Sequence, residues 1–100
     1  LIINLLHLIS LKDTKVLLSE SFFALAPKGF LIIYGPFMRD GKLTSKGDID
    51  FNKSIKKRNN KLGYKNDINL LKLFLNIGFL HEQTVKMPAN NLAFIIKKPI

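Results

Sequence analysis

Gly29-Phe30-Leu31-Ile32-Ile33-Tyr34-Gly35-Pro36-Phe37 is the stretch on which the fold turns. It follows a Pro27-Lys28-Gly29 turn and leaves through Gly35-Pro36. Five apolar or aromatic residues stand between these breakers with no polar interruption. A strand with one wet face alternates; a strand covered on both faces need not, and β-branched and aromatic residues favour extended backbone. Periodicity alone does not separate such a run from a buried helical segment. The run is, however, too short for an ordinary helix and has turn signals at both ends. It is therefore predicted to be the central strand of a mostly parallel sheet. Open α/β sheets bind ligands beyond the carboxyl ends of their strands, which puts the expected site just past Tyr34.

Working back towards the start, Leu1 to Ile9 is apolar enough for a second buried strand ending near His7. Asp13 or Thr14 can cap a helix running to Ala26, with Val16, Leu17 and Phe23 on its buried face. Pro27 must end that helix. Strand, helix and strand at this spacing predict a βαβ unit over residues 1–37.

Working forward, residues 38–65 hold nine basic residues against Asp40, Asp48 and Asp50, with breakers at Gly41, Gly47 and Gly63. Only Ile49, Phe51 and Ile55 suggest a short amphipathic helix, over Asp50 to Arg58. A basic excursion of this length directly after a central strand is usually either functional or disordered, and its position above the sheet edge favours functional. Asn66 or Asp67 can then cap a helix to Ile77 with a stripe of Ile68, Leu71, Phe74 and Leu75, and Gly78 fits the position past its end. Phe79 to Met87 and Asn91 to Lys98 read as strands joined by Pro88-Ala89-Asn90, a terminal antiparallel hairpin over residues 66–98 together with the preceding helix.

Composition narrows the function classes. The chain has 100 residues, 47% of them hydrophobic, which suits one domain or part of one and argues against disorder. Without cysteine, disulfides and cysteine-ligated zinc or iron–sulfur sites are excluded. His7 and His81 lie in opposite halves, so no metal site is expected. The longest apolar segments fall short of a membrane span and no secretion signal is visible, so a cytoplasmic setting is the expectation. The chain starts at Leu1 inside an apolar run and reads as cut from something longer. A net charge of +9 favours an anionic partner. Only Arg39 and Arg58 among 16 basic residues are Arg, however, and this Lys-heavy balance argues against a nucleic-acid footprint.

Three groups can carry chemistry. His7, at the end of the first strand, suits a general base or a ligand-orienting donor, or merely a hydrogen bond at the sheet end. Tyr34 and Phe37 can wall a pocket for a planar ligand around the Gly35-Pro36 exit, or simply pack a strand end. Asn90 and Asn91 bring two amides to a loop tip, where they bind a ligand or satisfy a turn. The sequence contains no glycine-rich phosphate loop and no nucleophile elbow.

A set of short segments adds to this reading. In order they are Asn4 and His7, then Leu25-Ala26-Pro27-Lys28-Gly29-Phe30-Leu31 and Tyr34-Gly35-Pro36-Phe37. Arg39, Gly41, Thr44-Ser45, Phe51, Ser54, Arg58-Asn59 and Gly63 follow, and Met87-Pro88-Ala89-Asn90-Asn91 closes the set. Together they resemble the C-terminal half of a class I S-adenosylmethionine-dependent methyltransferase, and more narrowly the DUF938, or UPF0585, family. The resemblance spans nearly the whole chain. It implies an α/β fold, the C-terminal half of a doubly wound Rossmann-like sheet ending in an antiparallel hairpin, as a partial methyltransferase domain over residues 1–100.

By the same resemblance, S-adenosylmethionine is the cofactor of the complete domain, with Asn4 and His7 beside it. Tyr34, Phe37, Arg39, Asn90 and Asn91 would meet a small-molecule substrate, and His7, Tyr34 and Asn90 would orient the reacting groups. Asp48, Asn52, Leu62 and the Lys65-Asn66 pair depart from the family pattern, and Lys65-Asn66 stands in place of an Arg-Asp pair. The implied function is part of a methyltransferase. The alternative is a non-catalytic remnant, or a basic module binding nucleic acid or another anionic partner. A sheet starting at the usual fourth strand would expose an edge, so self-association is also expected.

Overall fold

The computed structural model describes residues 1–99. Its secondary structure runs β1 (Ile2–Ile3), a 3-10 turn (Leu6–Leu8), α1 (Leu11–Ala24), β2 (Phe30–Pro36), α2 (Lys46–Arg58), α3 (Asp67–Ile77), β3 (Leu80–Lys86) and β4 (Asn91–Lys97). One four-stranded sheet has the order β1-β2-β4-β3. β1 and β2 are parallel, while β4 runs antiparallel to both β2 and β3. β1, β2 and β3 therefore share a direction, and the last strand is inserted against them. This is the expected mixed sheet with a reversed final strand.

Turn chemistry sets the limits of β2. Lys28 takes a left-handed φ of 65°, and the Gly29 amide donates to the Ala26 carbonyl at 2.9 Å. A Cβ at Gly29 would stand 2.9 Å from that same carbonyl oxygen, which is why the tight turn needs glycine. The expected cover on both faces is not found. Leu31 and Ile33 are buried, whereas Phe30 is 56% and Ile32 40% exposed. The physical reason is that α1 and α3 pack on the same face, where Leu18, Leu70 and Phe74 meet Leu31, Ile33, Phe94 and Ile96. On the opposite face the cross-strand pairs Phe30–Lys97, Ile32–Ile95 and Tyr34–Ala93 have no second helical layer among the described residues. Lys97 partly shields that face by placing its ammonium 5.6 Å from the Phe30 ring centre.

Several boundaries differ from those expected. The first strand is two residues long rather than reaching His7, because Asn4 turns left-handed at φ 52° and the chain enters the 3-10 turn. Ser10, not Asp13 or Thr14, caps α1: its hydroxyl accepts the Asp13 amide at 3.1 Å, and Asp13 then sits in the first turn where the helix dipole favours a carboxylate. α1 stops at Ala24, with Leu25 already extended ahead of Pro27. Val16 and Phe23 face outward, because the single sheet face admits only Thr14 and Leu18 fully, with Leu17 and Phe22 at its margin.

The basic excursion is more ordered than expected. α2 begins at Lys46, where Ser45 accepts the Asp48 amide at 3.1 Å, and ends on Lys56, Lys57 and Arg58, cations suited to a helix C-terminus. In α3 the buried positions are Leu70 and Phe74, while Ile68 and Leu75 stay exposed. Asn66 makes no cap bond of its own. Its carboxamide oxygen accepts the Gly41 amide at 2.7 Å, and an Asp67 carboxylate oxygen accepts the Asp40 amide at 2.9 Å. The start of α3 thus holds the tight turn at residues 39–42 against the end of β2.

Candidate functional site

Two side-chain clusters stand past the carboxyl end of β2. The first joins the β2 exit to the tip of the β3–β4 hairpin. In the β2–β4 register Tyr34 faces Ala93 and Pro36 faces Asn91, which carries the Asn91 amide to the Tyr34 hydroxyl at 3.2 Å. Arg39 completes the junction. Its guanidinium donates to the Thr44 hydroxyl at 3.0 Å, to the Asn90 carbonyl at 2.8 Å and to the Asn91 carbonyl at 3.4 Å. Arg39 Nε is buried without an acceptor among the described residues, a condition that costs about 1–3 kcal/mol. Ala89 and Asn90 both take left-handed backbone, at φ 59° and 60°. This turns the tip sharply enough to present the Asn90 carbonyl to Arg39.

The second cluster lies under the 3-10 turn. His7 is 6% exposed, with its ring edge-on to Phe51 at 5.7 Å and to Tyr64 at 5.9 Å. The Tyr64 hydroxyl donates to Asp48 at 2.7 Å, and its amide donates to the Asn52 side-chain oxygen at 2.9 Å. Burial and the Asp48 bond push the Tyr64 hydroxyl well above its ordinary range, so it remains a donor. Lys65 donates to the Ile9 and Gly63 carbonyls at 2.7 and 2.9 Å. Burial, with Lys56 nearby, brings its ammonium down to about 8.

Burial first and Lys65 second also lower His7 below its ordinary 6.5, so the ring is neutral at pH 7. The unfolded chain therefore takes up a proton that the folded chain refuses. Stability from this group is complete above pH 6.5 and falls as pH drops through the lowered folded midpoint. NMR titration of the His7 ring is expected to give a midpoint below 6.5. Thermal melts should lose stability on acidification over that window, and His7→Gln should flatten the slope. A midpoint at or above 6.5 would contradict the buried placement.

The expected site residues thus fall into separate groups. Tyr34, Arg39, Asn90 and Asn91 come together, although Asn90 contributes its carbonyl and not its side chain. His7 lies in the second cluster and makes no described hydrogen bond to Tyr34. Asn4 links the two regions, because its amide donates to the Tyr34 carbonyl at 2.8 Å and its side-chain oxygen lies near Gly35. Phe37 does not wall a pocket: it is 4% exposed, with its ring 5.0 Å from that of Phe94, and so belongs to the core. Sequence reasoning missed Tyr64, whose only signal is its position after Gly63 at the close of the basic segment. It also missed the inward turn of Asn52, for which the sequence carries no signal.

A family profile described as "Protein of unknown function (DUF938)" matches residues 1–98. The chain belongs to the DUF938 family. Among solved structures, this DUF938 chain is similar to human N-acetylserotonin methyltransferase in complex with SAM, at 14% identity and TM-score 0.85, over 98% of this chain and 28% of that one. An O-methyltransferase family protein from Burkholderia thailandensis gives 14% identity and TM-score 0.82, over 98% and 29%. The structure of PigF with SAH gives 14% identity and TM-score 0.83, over 96% and 28%. At these identities the likeness shows the fold, which is the doubly wound Rossmann-like class seen in class I methyltransferases. This DUF938 chain spans under a third of the length of each of these proteins. No helix among the described residues is long and apolar enough to cross a membrane.

Proposed function

We propose that this chain forms the acceptor side of an S-adenosylmethionine-dependent methyltransferase that acts on a small molecule. The observation that carries the reading is the junction of Tyr34, Arg39, Asn90 and Asn91 at the carboxyl end of β2, where a doubly wound sheet places its ligands. The Arg39 guanidinium holds the hairpin tip against the β2 exit through the Asn90 and Asn91 carbonyls, which fixes the place of the Tyr34–Asn91 pair. The Tyr34 hydroxyl already accepts from Asn91, so its own proton is available to a substrate oxygen or nitrogen. His7 stays neutral inside its enclosure of Phe51 and Tyr64, and its carbonyl, which accepts the Gly63 amide, ties that enclosure to the start of the chain beside Asn4.

The residues present fit only an edge of the cofactor. Asn4 is exposed beside Gly35 and can reach a bound group. His7, its expected companion, is enclosed by aromatic rings and has little free surface to offer. When bound, S-adenosylmethionine supplies an electrophilic methyl group. The chain's own contribution is alignment of the acceptor, with the Tyr34 hydroxyl proton available to it, and alignment supplies much of the acceleration in such transfers. Calorimetric titration of the native protein with S-adenosylmethionine tests the reading. Micromolar binding weakened by Asn4→Asp is the expected result. No heat at millimolar cofactor would overturn it.

A further inference from the structure

A groove between α1 and α3 lies on the helical side of the sheet, with Met38 and Asn66 at its end nearer the Tyr34–Arg39 junction. Its volume is about 480 Å³, within the range of sites that hold small molecules. α3 presents Asn69, Leu73 and Asn76 to it, positions at i, i+4 and i+7 on one helical stripe, and α1 adds Leu11 and Lys15 one turn apart. The bed is mainly apolar, from Leu11, Leu70 and Leu73, and three lysines stand around it: Lys15, Lys65 and Lys72. No Asp or Glu is among the described lining residues.

From this combination we infer that the groove binds an amphipathic carboxylate, its hydrocarbon portion on the leucines and its charge among the lysines. The two parts need each other. An apolar molecule alone would leave the positive field of the three lysines unused, and a bare inorganic anion would leave the leucines wet. Lys65 is the best-placed anchor, because two of its three ammonium donors are fixed on the Ile9 and Gly63 carbonyls and the third has no described acceptor. A carboxylate near this lysine would also relieve the loss of hydration that lowers its affinity for a proton. Tyr64 lines the groove and also touches His7, so an occupant would press on one wall of the second cluster.

The probe is octanoate, titrated into the full chain and followed by amide NMR, with octan-1-ol as the neutral control. Saturable shifts at Leu11, Asn69 and Leu73 are expected, with octanoate binding more tightly than octanol. The double variant Lys15→Met, Lys72→Met changes two lysines outside the core, and should weaken octanoate roughly threefold to tenfold while leaving octanol unchanged. Unchanged peak dispersion elsewhere would confirm that the variant is folded. Equal affinity for the two probes would overturn the inference and reduce the groove to an apolar patch. Absence of saturable shifts at these residues would overturn it as well. Neither result bears on the cofactor titration at Asn4, so the two readings fail independently.

Discussion

Replacing Phe94 by Ala is expected to cost about 3–5 kcal/mol, a large share of the net stability of an ordinary domain, roughly 5–15 kcal/mol. Phe94 has no exposed surface. It sits on β4 between β2 and β3, faces Ile33 in the register, and packs its ring against Phe37 at 5.0 Å and Phe74 at 5.6 Å. Truncation would therefore open a cavity where the sheet meets α3 and would loosen the β2 exit through Phe37. The matched control is Ile32→Ala on the opposite face, where the side chain is already 40% exposed. There the loss should be about 1 kcal/mol, mostly transfer free energy with little cavity term. Urea unfolding of both variants measures the contrast, with an unchanged slope assuring that the same surface is exposed. Equal costs would mean that the face bearing Phe30, Ile32 and Ile95 is covered in solution. A concentration dependence of the Ile32→Ala effect would then identify another copy of the chain as the cover.

That contrast also explains what the sequence made legible. The limits of β2 could be read because Pro27, Gly29, Gly35 and Pro36 each act through their own backbone, with no distant partner required. The two-sided cover could not. An unbroken apolar run records a strand suited to two helical layers, whereas the described helices packed on the sheet core, α1 and α3, both lie on one face. Helix caps failed for a related reason. Asn66 and Asp67 have the right side chains for a cap, but their oxygens are taken by the Gly41 and Asp40 amides, which lie about a quarter of the chain away. Such competition has no local signature.

The same distinction divides the candidate site. Tyr34 and Asn91 were legible one at a time, and the β2–β4 register joins residues 57 positions apart. His7 was legible as a titratable group at a strand exit. Its actual neighbours, Phe51, Tyr64 and Lys65, were not, because they arrive from the middle and the far end of a basic segment that shows little periodicity. The departures from the family pattern likewise acquire local partners. Asp48 and Asn52 both hold Tyr64, Lys65 holds the Ile9 and Gly63 carbonyls, and Asn66 holds Gly41. By the resemblance Lys65-Asn66 stands in place of an Arg-Asp pair, yet the segment carries a polar network that reaches the His7 backbone through Gly63.

Gly63 is the position where that network is most exposed to a single change. Its φ is +130°, and an added Cβ would lie 2.7 Å from the Asn52 side-chain oxygen and 3.1 Å from Lys56 Cε. The flexible lysine can move; the Asn52 oxygen cannot do so freely, because it accepts the Tyr64 amide inside the fold. The Gly63 amide also donates to the His7 carbonyl at 3.0 Å, so backbone relaxation would be felt there directly. Gly63→Ala is therefore expected to cost about 1–2 kcal/mol for the left-handed backbone and a further 1–3 kcal/mol for crowding, about 2–5 kcal/mol together. Gly41→Ala separates the two contributions. At φ +75°, close to the left-handed region that other residues adopt, it carries a backbone strain no greater than that of Gly63, and nothing lies within 4 Å of its added Cβ, so a backbone cost alone should appear. Denaturant melts give the difference, and the His7 ring resonances give its cause: they should move in Gly63→Ala and stay in place in Gly41→Ala. Equal destabilisation with a stationary His7 signal would show that Gly63 serves backbone conformation alone, and that the Asn52–Tyr64 link does not hold the histidine.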